Sequence, residues 1–357
     1  MNDIEWFLDI LDNDLEDAEK KLFNETKKSP QSIINLLAIR FLRKDYSGIL
    51  ALTDEVFGRK DIPFSVLTKI LEYRIIASIY LKKPAEILKS LNALRTQLLI
   101  FYVEDIPPAI IASIKQLLED PTIVFLRRYH SMTKHSSVSP LTKIVSIMIH
   151  KACQDSLFEN LPPVEKSQAY ALSSILMPSI LRTSDAIKYL DRAIRLQDGY
   201  IPRAAAGKIY FIIGNPSRAF NELNYALKFS DDDPLKGYEA KVNLAQLYSL
   251  QGDYKTALKY ITDALRIRQE PIARLIRGEI LLNLGELDAA IVAFRALVNI
   301  GDSRILLRTL INLAACLLEK NNVRKAFDYL WKAHLMVPDN EYIGMLASAL
   351  KELSENR

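Results

Sequence analysis

The sequence predicts an all-α fold, a solenoid of stacked helical hairpins, on three observations. The first is the stretch Ala240–Leu265. Leu244, Ala245 and Tyr248 share one stripe at helical spacing, Gly252-Asp253 breaks the pattern, and Tyr254, Ala257, Leu258, Ile261, Ala264 and Leu265 resume it. Two apolar stripes joined by so short a turn must face each other, and small residues at Ala245 and Ala257 let the backbones approach. The second is recurrence. Second-helix alanines stand at Ala186, Ala219, Ala257, Ala290 and Ala326, with steps of 33, 38, 33 and 36 residues. The third is composition: 49% of the 357 residues are hydrophobic and only 11 are Gly, so the chain can fold over nearly its whole length.

Taken in order, Ile4–Leu11 reads as a short helix, and Leu15, Ala18, Leu22 and Phe23 form the stripe of another. Ser32–Phe57 predicts helix, turn and helix, with Leu36, Leu37 and Arg40 before Asp45-Tyr46 and Ile49, Leu50, Thr53 and Val56 after it. Phe64–Leu81 and Pro84–Phe101 form the next pair, turned by Lys82-Lys83-Pro84, with proline at a helix start. From Glu104 to Pro163 the pattern fades, although helices fit Pro108–Leu118, Pro121–Tyr129 and Pro140–Phe158; residues 130–140 (HSMTKHSSVSP) read as a loop. A weak copy of the hairpin holds Ser174, Met177, Ala186, Leu190 and Ala193. Clearer copies follow. They hold Gly207, Tyr210, Gly214, Ala219, Leu223 and Ala226; then Gly278, Leu281, Gly285, Leu287, Ala290 and Phe294; then Ala314, Leu317, Asn321, Val323, Ala326, Leu330 and Ala333. A last helix, Glu341–Leu353, turns Ile343, Leu346, Ala347 and Leu350 inward and caps the stack. The expected organisation is therefore 1–104 degenerate hairpins, 105–165 an irregular helical linker, 166–340 an array of about five repeats, and 341–357 a capping helix.

Small residue, Tyr, Gly-Asp-Tyr, Ala, large apolar and Ala at these spacings resembles the tetratricopeptide repeat (TPR), a helix pair of about 34 residues. The resemblance implies a right-handed α-solenoid of TPR-like hairpins whose function is to bind other proteins.

The remaining composition excludes several classes. With 47 basic and 43 acidic side chains the net charge is +4, which makes no nucleic-acid footprint. The start of the chain, MNDIEWFLDILDNDLEDAEKK, is acidic and lacks the basic region of a signal peptide. No apolar run reaches the length of a membrane span, so no membrane insertion is expected and the expected location is cytoplasmic. Cys153 and Cys316 are isolated, which suits a reducing compartment. Of His130, His135, His150 and His334, only His150 has a ligand-type neighbour on its helix face, Cys153, and one pair is not a zinc site. No nucleotide-binding, metalloprotease or nucleophile-elbow motif occurs, so neither an enzyme, a cofactor nor a small-molecule substrate is expected. Arg127, Arg128 and Lys134 beside hydroxyl residues read as a solvated linker, or as a site for an acidic partner or a phosphate.

In the TPR family the first helix of each repeat lines a concave surface. The corresponding slots here hold Ala204, Lys208 and Phe211; Val242 and Gln246; Leu275, Glu279 and Leu282; and Ile311, Ala315 and Leu318. This lining is largely apolar. Asn243 fits one position of the carboxylate clamp of chaperone-binding members, but Ala204 and Leu275 stand where cationic or amide residues belong, so a clamp is not expected. Two readings stand: a groove that receives an apolar helix or extended segment, from another subunit or from this chain's own irregular region, or, in a register shifted by one, ordinary inter-repeat core.

A narrower resemblance rests on Lys44–Val56 (KDYSGILALTDEV), Ile201–Leu223, the longer spacer before Tyr238, residues 310–327 (LINLAACLLEKNNVRKAF) and residues 349–356 (ALKELSEN). These stretches are similar to the TPR subunit of transport protein particle (TRAPP) vesicle tethers. That implies a non-catalytic scaffold in membrane traffic between endoplasmic reticulum and Golgi, partnered by the other subunits of a larger complex. The alternative is a transient adaptor that takes an apolar peptide in its groove.

Overall fold

Turn chemistry sets the hairpins. A computed structural model describes residues 29–56, 59, 62–100, 140–230 and 233–338, together with 19, 22, 343, 344, 347, 348 and 351. Among the described residues sixteen α-helices and no strand occur, an all-α helical-repeat fold. Helices α1 (Pro30–Leu42), α2 (Tyr46–Val56), α3 (Phe64–Tyr80), α4 (Pro84–Ala93) and α5 (Arg95–Leu99) come first. Then follow α6 (Pro140–Gln154), α7 (Pro163–Leu176), α8 (Thr183–Leu196) and α9 (Tyr200–Ile212). The chain continues with α10 (Pro216–Leu227), α11 (Pro234–Leu250), α12 (Tyr254–Ile267), α13 (Pro271–Asn283), α14 (Leu287–Arg295), α15 (Ser303–Glu319) and α16 (Val323–Met336).

Hairpin turns repeat one device. A residue with left-handed backbone ends the first helix at Lys44, Lys82, Leu181, Gly214, Gly252, Gly285 and Asn321, at φ values between 53° and 83°. The amide that follows reaches back to close the last helical turn, as in Asp253 N to Tyr248 O at 3.0 Å, Glu286 N to Leu281 O at 2.9 Å and Asn322 N to Leu317 O at 2.8 Å. That same following residue then caps the second helix. Asn215, Asp253 and Asn322 accept from the amides of Arg218 (3.1 Å), Thr256 (3.1 Å) and Lys325 (3.3 Å). Helices also start on proline, as α7, α10, α11 and α13 do, where the missing N–H costs nothing.

The chain forms two compact units, Met1–Leu98 with Val138–Ile213, and Leu99–Ser137 with Gly214–Arg357. The array expected over 166–340 contributes to both. In the first unit α3 packs on α1, α2 and α4, and α6 packs on α3 across the long segment between them in sequence. At its centre Arg74 is 1% exposed. Its guanidinium bonds Thr53 Oγ1 at 2.7 Å and pairs with Asp54 at 2.8 Å and with Glu86, tying α3 to α2 and α4. Glu72 receives the Thr142 hydroxyl of α6, and burial raises its pKa. His150 and Tyr189 are hydrogen-bonded at 2.9 Å, and the adjacent Cys153 thiol is pushed up to about 12 by burial. Among the described residues no group of three His, Cys, Asp or Glu is placed to hold a metal, and no helix is long and apolar enough to cross a membrane.

In the second unit α11 and α12, α13 and α14, and α15 and α16 form the hairpins. Ala245, Ala257, Ile261 and Ala264 are buried in one cluster, and the Tyr248 and Tyr260 rings stack at 5.3 Å. Gly278 admits the buried ring of Phe294. Ile343 and Ala347 join the cluster of α13–α16, on the side expected of the capping helix, whereas Leu346 and Leu350 lie outside the described residues.

Two expected helices differ. Pro84–Phe101 breaks at Leu94, where the chain restarts as α5, so a continuous helix there is corrected to two. Pro140–Phe158 ends at Gln154, because Ser156 takes a left-handed backbone (φ 59°) and a short 3₁₀ turn, Leu157–Asn160, follows. The helices expected at 4–11, 108–118 and 121–129, the loop at 130–139 with Lys134, and Arg127 and Arg128 lie outside the described residues, as does most of the stripe at 15–23.

Candidate protein-binding surface

The residues expected to line a groove fall into three groups. Ala204, Lys208 and Phe211 stand on α9 in the first unit; Ala204 is buried and the other two keep partial exposure. Burial lowers the Lys208 ammonium pKa from 10.5 to about 7, since desolvation disfavours the charged form.

In the second unit α13 and α15 bring Leu275, Leu282, Ile311, Ala315 and Leu318 into one buried cluster. Glu279 sits among them and is neutralised. The Arg308 guanidinium grips both of its oxygens, with Nη2 to Oε2 at 2.7 Å, and Asn312 Nδ2 donates to Oε1 at 2.9 Å. The carboxylate and the guanidinium are 13% and 15% exposed. A planar fork against a carboxylate fixes geometry as well as charge, so this contact locks α13 to α15.

On α11 Val242 and Gln246 are buried, and here the chain meets itself. Asn243, fully buried, donates its side-chain amide to the backbone carbonyl of Leu99 at 2.9 Å, across 144 residues of sequence. Ile100, 4% exposed, packs with Tyr238, Val242, Ala245 and Ile276. The amide that fits a carboxylate-clamp position in sequence is thus spent on a carbonyl of this chain. Sequence reasoning noted Asn243 only as fitting one carboxylate-clamp position and carried no signal for its partner. It also missed Arg308 and Asn312, which lie a helix away from the glutamate they hold.

Comparison with known proteins gives one sequence match, the tetratricopeptide-repeat family model over residues 238–271. No curated protein matches the chain. Among solved structures it is similar to YrrB, described as a TPR protein with an unusual peptide-binding site, at 23% identity over 57% of this chain and 97% of that one, with a TM-score of 0.40. It is similar to a chain of the APC/C hetero-tetramer Cut9-Hcn1 at 16% identity over 95% of this chain and 59% of that one, TM-score 0.49. Against yeast Tom70 the figures are 14% identity over 96% and 88%, TM-score 0.43. The segment that the family model matches runs from Tyr238 on α11 through the Gly252-Asp253 turn and α12 to Pro271. The chain therefore carries a tetratricopeptide repeat at residues 238–271, within a fold built of helical hairpins.

Proposed function

We propose that this protein is a non-catalytic scaffold that binds other proteins and works as a fixed subunit of a larger assembly. What supports the reading is the burial of the residues expected to line a groove. Val242, Leu275, Leu282, Ile311, Ala315 and Leu318 are each at most 6% exposed, Glu279 is paired, and Asn243 holds Leu99. A transient adaptor needs a preformed groove whose apolar positions are open to a peptide, and α11, α13 and α15 keep theirs filled. Lys208 and Phe211, which keep some surface, are the expected groove positions we assign to a partner. A TRAPP-type tether subunit in the cytoplasm is the finer form of this reading. It rests on the sequence stretches Lys44–Val56 and Leu310–Phe327 and draws nothing from the comparisons.

The test is affinity purification of the tagged chain at native abundance, followed by mass spectrometry and sizing. A stoichiometric particle supports the fixed-subunit reading, and trafficking subunits within it support the tether. A lone chain that gains a peptide ligand only transiently overturns it. Leu275→Glu and Ile311→Glu do not serve as interface probes, since each puts a charge into a packed core and unfolds its surroundings.

A further inference from the structure

The second unit carries a cleft of about 420 Å³, bounded by α12, α13 and α14 and lined by none of the residues expected to form a groove. Three arginines stand around it: Arg266 near the end of α12, and Arg274 and Arg277 three residues apart on α13. Arg266 is 2.7 Å from Asp263, but its side chain is 76% exposed, so this pair is weak and easily exchanged. Arg274 and Arg277 meet no carboxylate among the described residues, and neither Asp nor Glu lines the cleft. Between the charges the wall is apolar, made by Leu265, Val292 and Ala296. Val292 is 69% exposed and stands off the stripe that α14 buries, which is Ala290, Ile291 and Phe294. An outward helix position ordinarily takes a polar residue. A wet valine flanked by unneutralised guanidinium groups is the arrangement of a contact surface.

We propose that this cleft docks an acidic segment of a partner protein, with carboxylates on Arg274 and Arg277 and an apolar side chain between them against Val292 and Leu265. Guanidinium forks match carboxylate geometry two bonds at a time, and the arginine stems add apolar contact. A cleft of this size holds a few side chains rather than a whole helix face, so the segment is short. The proposal rests on the reading that the chain binds proteins but places the contact on residues other than those expected to line a groove.

The test is fluorescence anisotropy of the full chain with a labelled synthetic peptide in which Asp and Glu alternate with Leu, beside its Asn and Gln counterpart. The acidic peptide binds and weakens as salt rises. The neutral counterpart, and the variant Arg274→Glu/Arg277→Glu, each lose at least about tenfold, the size of one or two charge-assisted bonds. Val292→Ser weakens binding without changing its salt dependence. The unfolding midpoint of each variant stays near the wild-type value, since Arg277 and Val292 are exposed and Arg274 is half-buried with no carboxylate partner. Absence of binding by the acidic peptide, equal binding of the neutral one, or unchanged affinity of the double arginine variant overturns the proposal. So does equal, arginine-dependent competition by single-stranded RNA, which marks a general anion patch. If the double variant still enters the same particle by sizing while peptide binding is lost, the cleft serves a partner outside that particle. Absence of a particle with peptide binding intact leaves the cleft standing and removes the fixed-subunit reading.

Discussion

Gly278→Ala is the sharpest test of how the hairpin α13–α14 is packed. In the middle of a helix this exchange ordinarily stabilises by about 0.5–1 kcal/mol, because alanine loses less backbone freedom on folding. Here the new methyl would lie 2.5 Å from Phe294 Cε1, 2.8 Å from Cζ and 2.9 Å from Cδ1. Those are rigid ring atoms, and the ring is fully buried in the cluster of α13–α16, so it cannot turn aside without displacing a packed neighbour. Overpacking of this kind costs about 1–3 kcal/mol, which outweighs the propensity gain and leaves a net loss of about 0.5–2 kcal/mol. The assay is urea unfolding followed by circular dichroism, with the variant and Phe294→Leu run singly and together. The double variant should be less destabilised than the sum of the singles by about 1 kcal/mol, since the smaller side chain makes room for the methyl. A Gly278→Ala protein as stable as wild type, with strictly additive singles, refutes the reasoning. Gly285→Ala separates space from backbone: nothing lies within 4 Å of its added methyl, but its φ is 78°, so its loss comes from the left-handed turn and Phe294→Leu does not rescue it.

Leu181 holds the left-handed turn position of its hairpin at φ 58° while 87% exposed, so Leu181→Gly should raise stability by about 0.5–1 kcal/mol, read as a higher urea midpoint with unchanged slope. Arg74→Met should cost about 1–3 kcal/mol by the same assay. The figure stays below that of a fully buried pair because the carboxylates left behind, Asp54 and Glu86, are 57% and 34% exposed and remain hydrated. Cys153 and Cys316, both with thiols pushed up to about 12 by burial, should resist iodoacetamide in the native protein at about pH 8 and be alkylated at both sites in guanidinium; labelling of the folded chain by mass refutes this. Lys208 has a folded pKa of about 7 against 10.5 when unfolded, so between those values the unfolded chain binds the extra proton and stability rises with pH. A pH series of unfolding midpoints checks this: Lys208→Met should flatten the rise, and an unchanged slope contradicts the assignment.

The helical-repeat fold was legible in the sequence because its determinants are local. Gly252 and Asp253 set one turn and cap, Ala245 and Ala257 one crossing, and the same slots recur at Gly285 and Ala290 and at Asn321 and Ala326, so each hairpin repeats the signal. Even where the turn residue is a lysine or a leucine, as at Lys44, Lys82 and Leu181, the flanking apolar spacing still placed the helices. The slots expected to line a groove could be numbered from that register, but their burial could not. Whether Leu275 and Ile311 line a wet groove or a core depends on what neighbouring helices bring to them, and α13 and α15 close on each other through Glu279, Arg308 and Asn312. The bond from Asn243 to Leu99 joins residues 144 apart, and the arginine cleft is assembled from α12, α13 and α14. Helical periodicity reports which side of a helix is apolar over a few residues. What that side touches is decided by the stacking of whole hairpins, and only the tertiary structure specifies it.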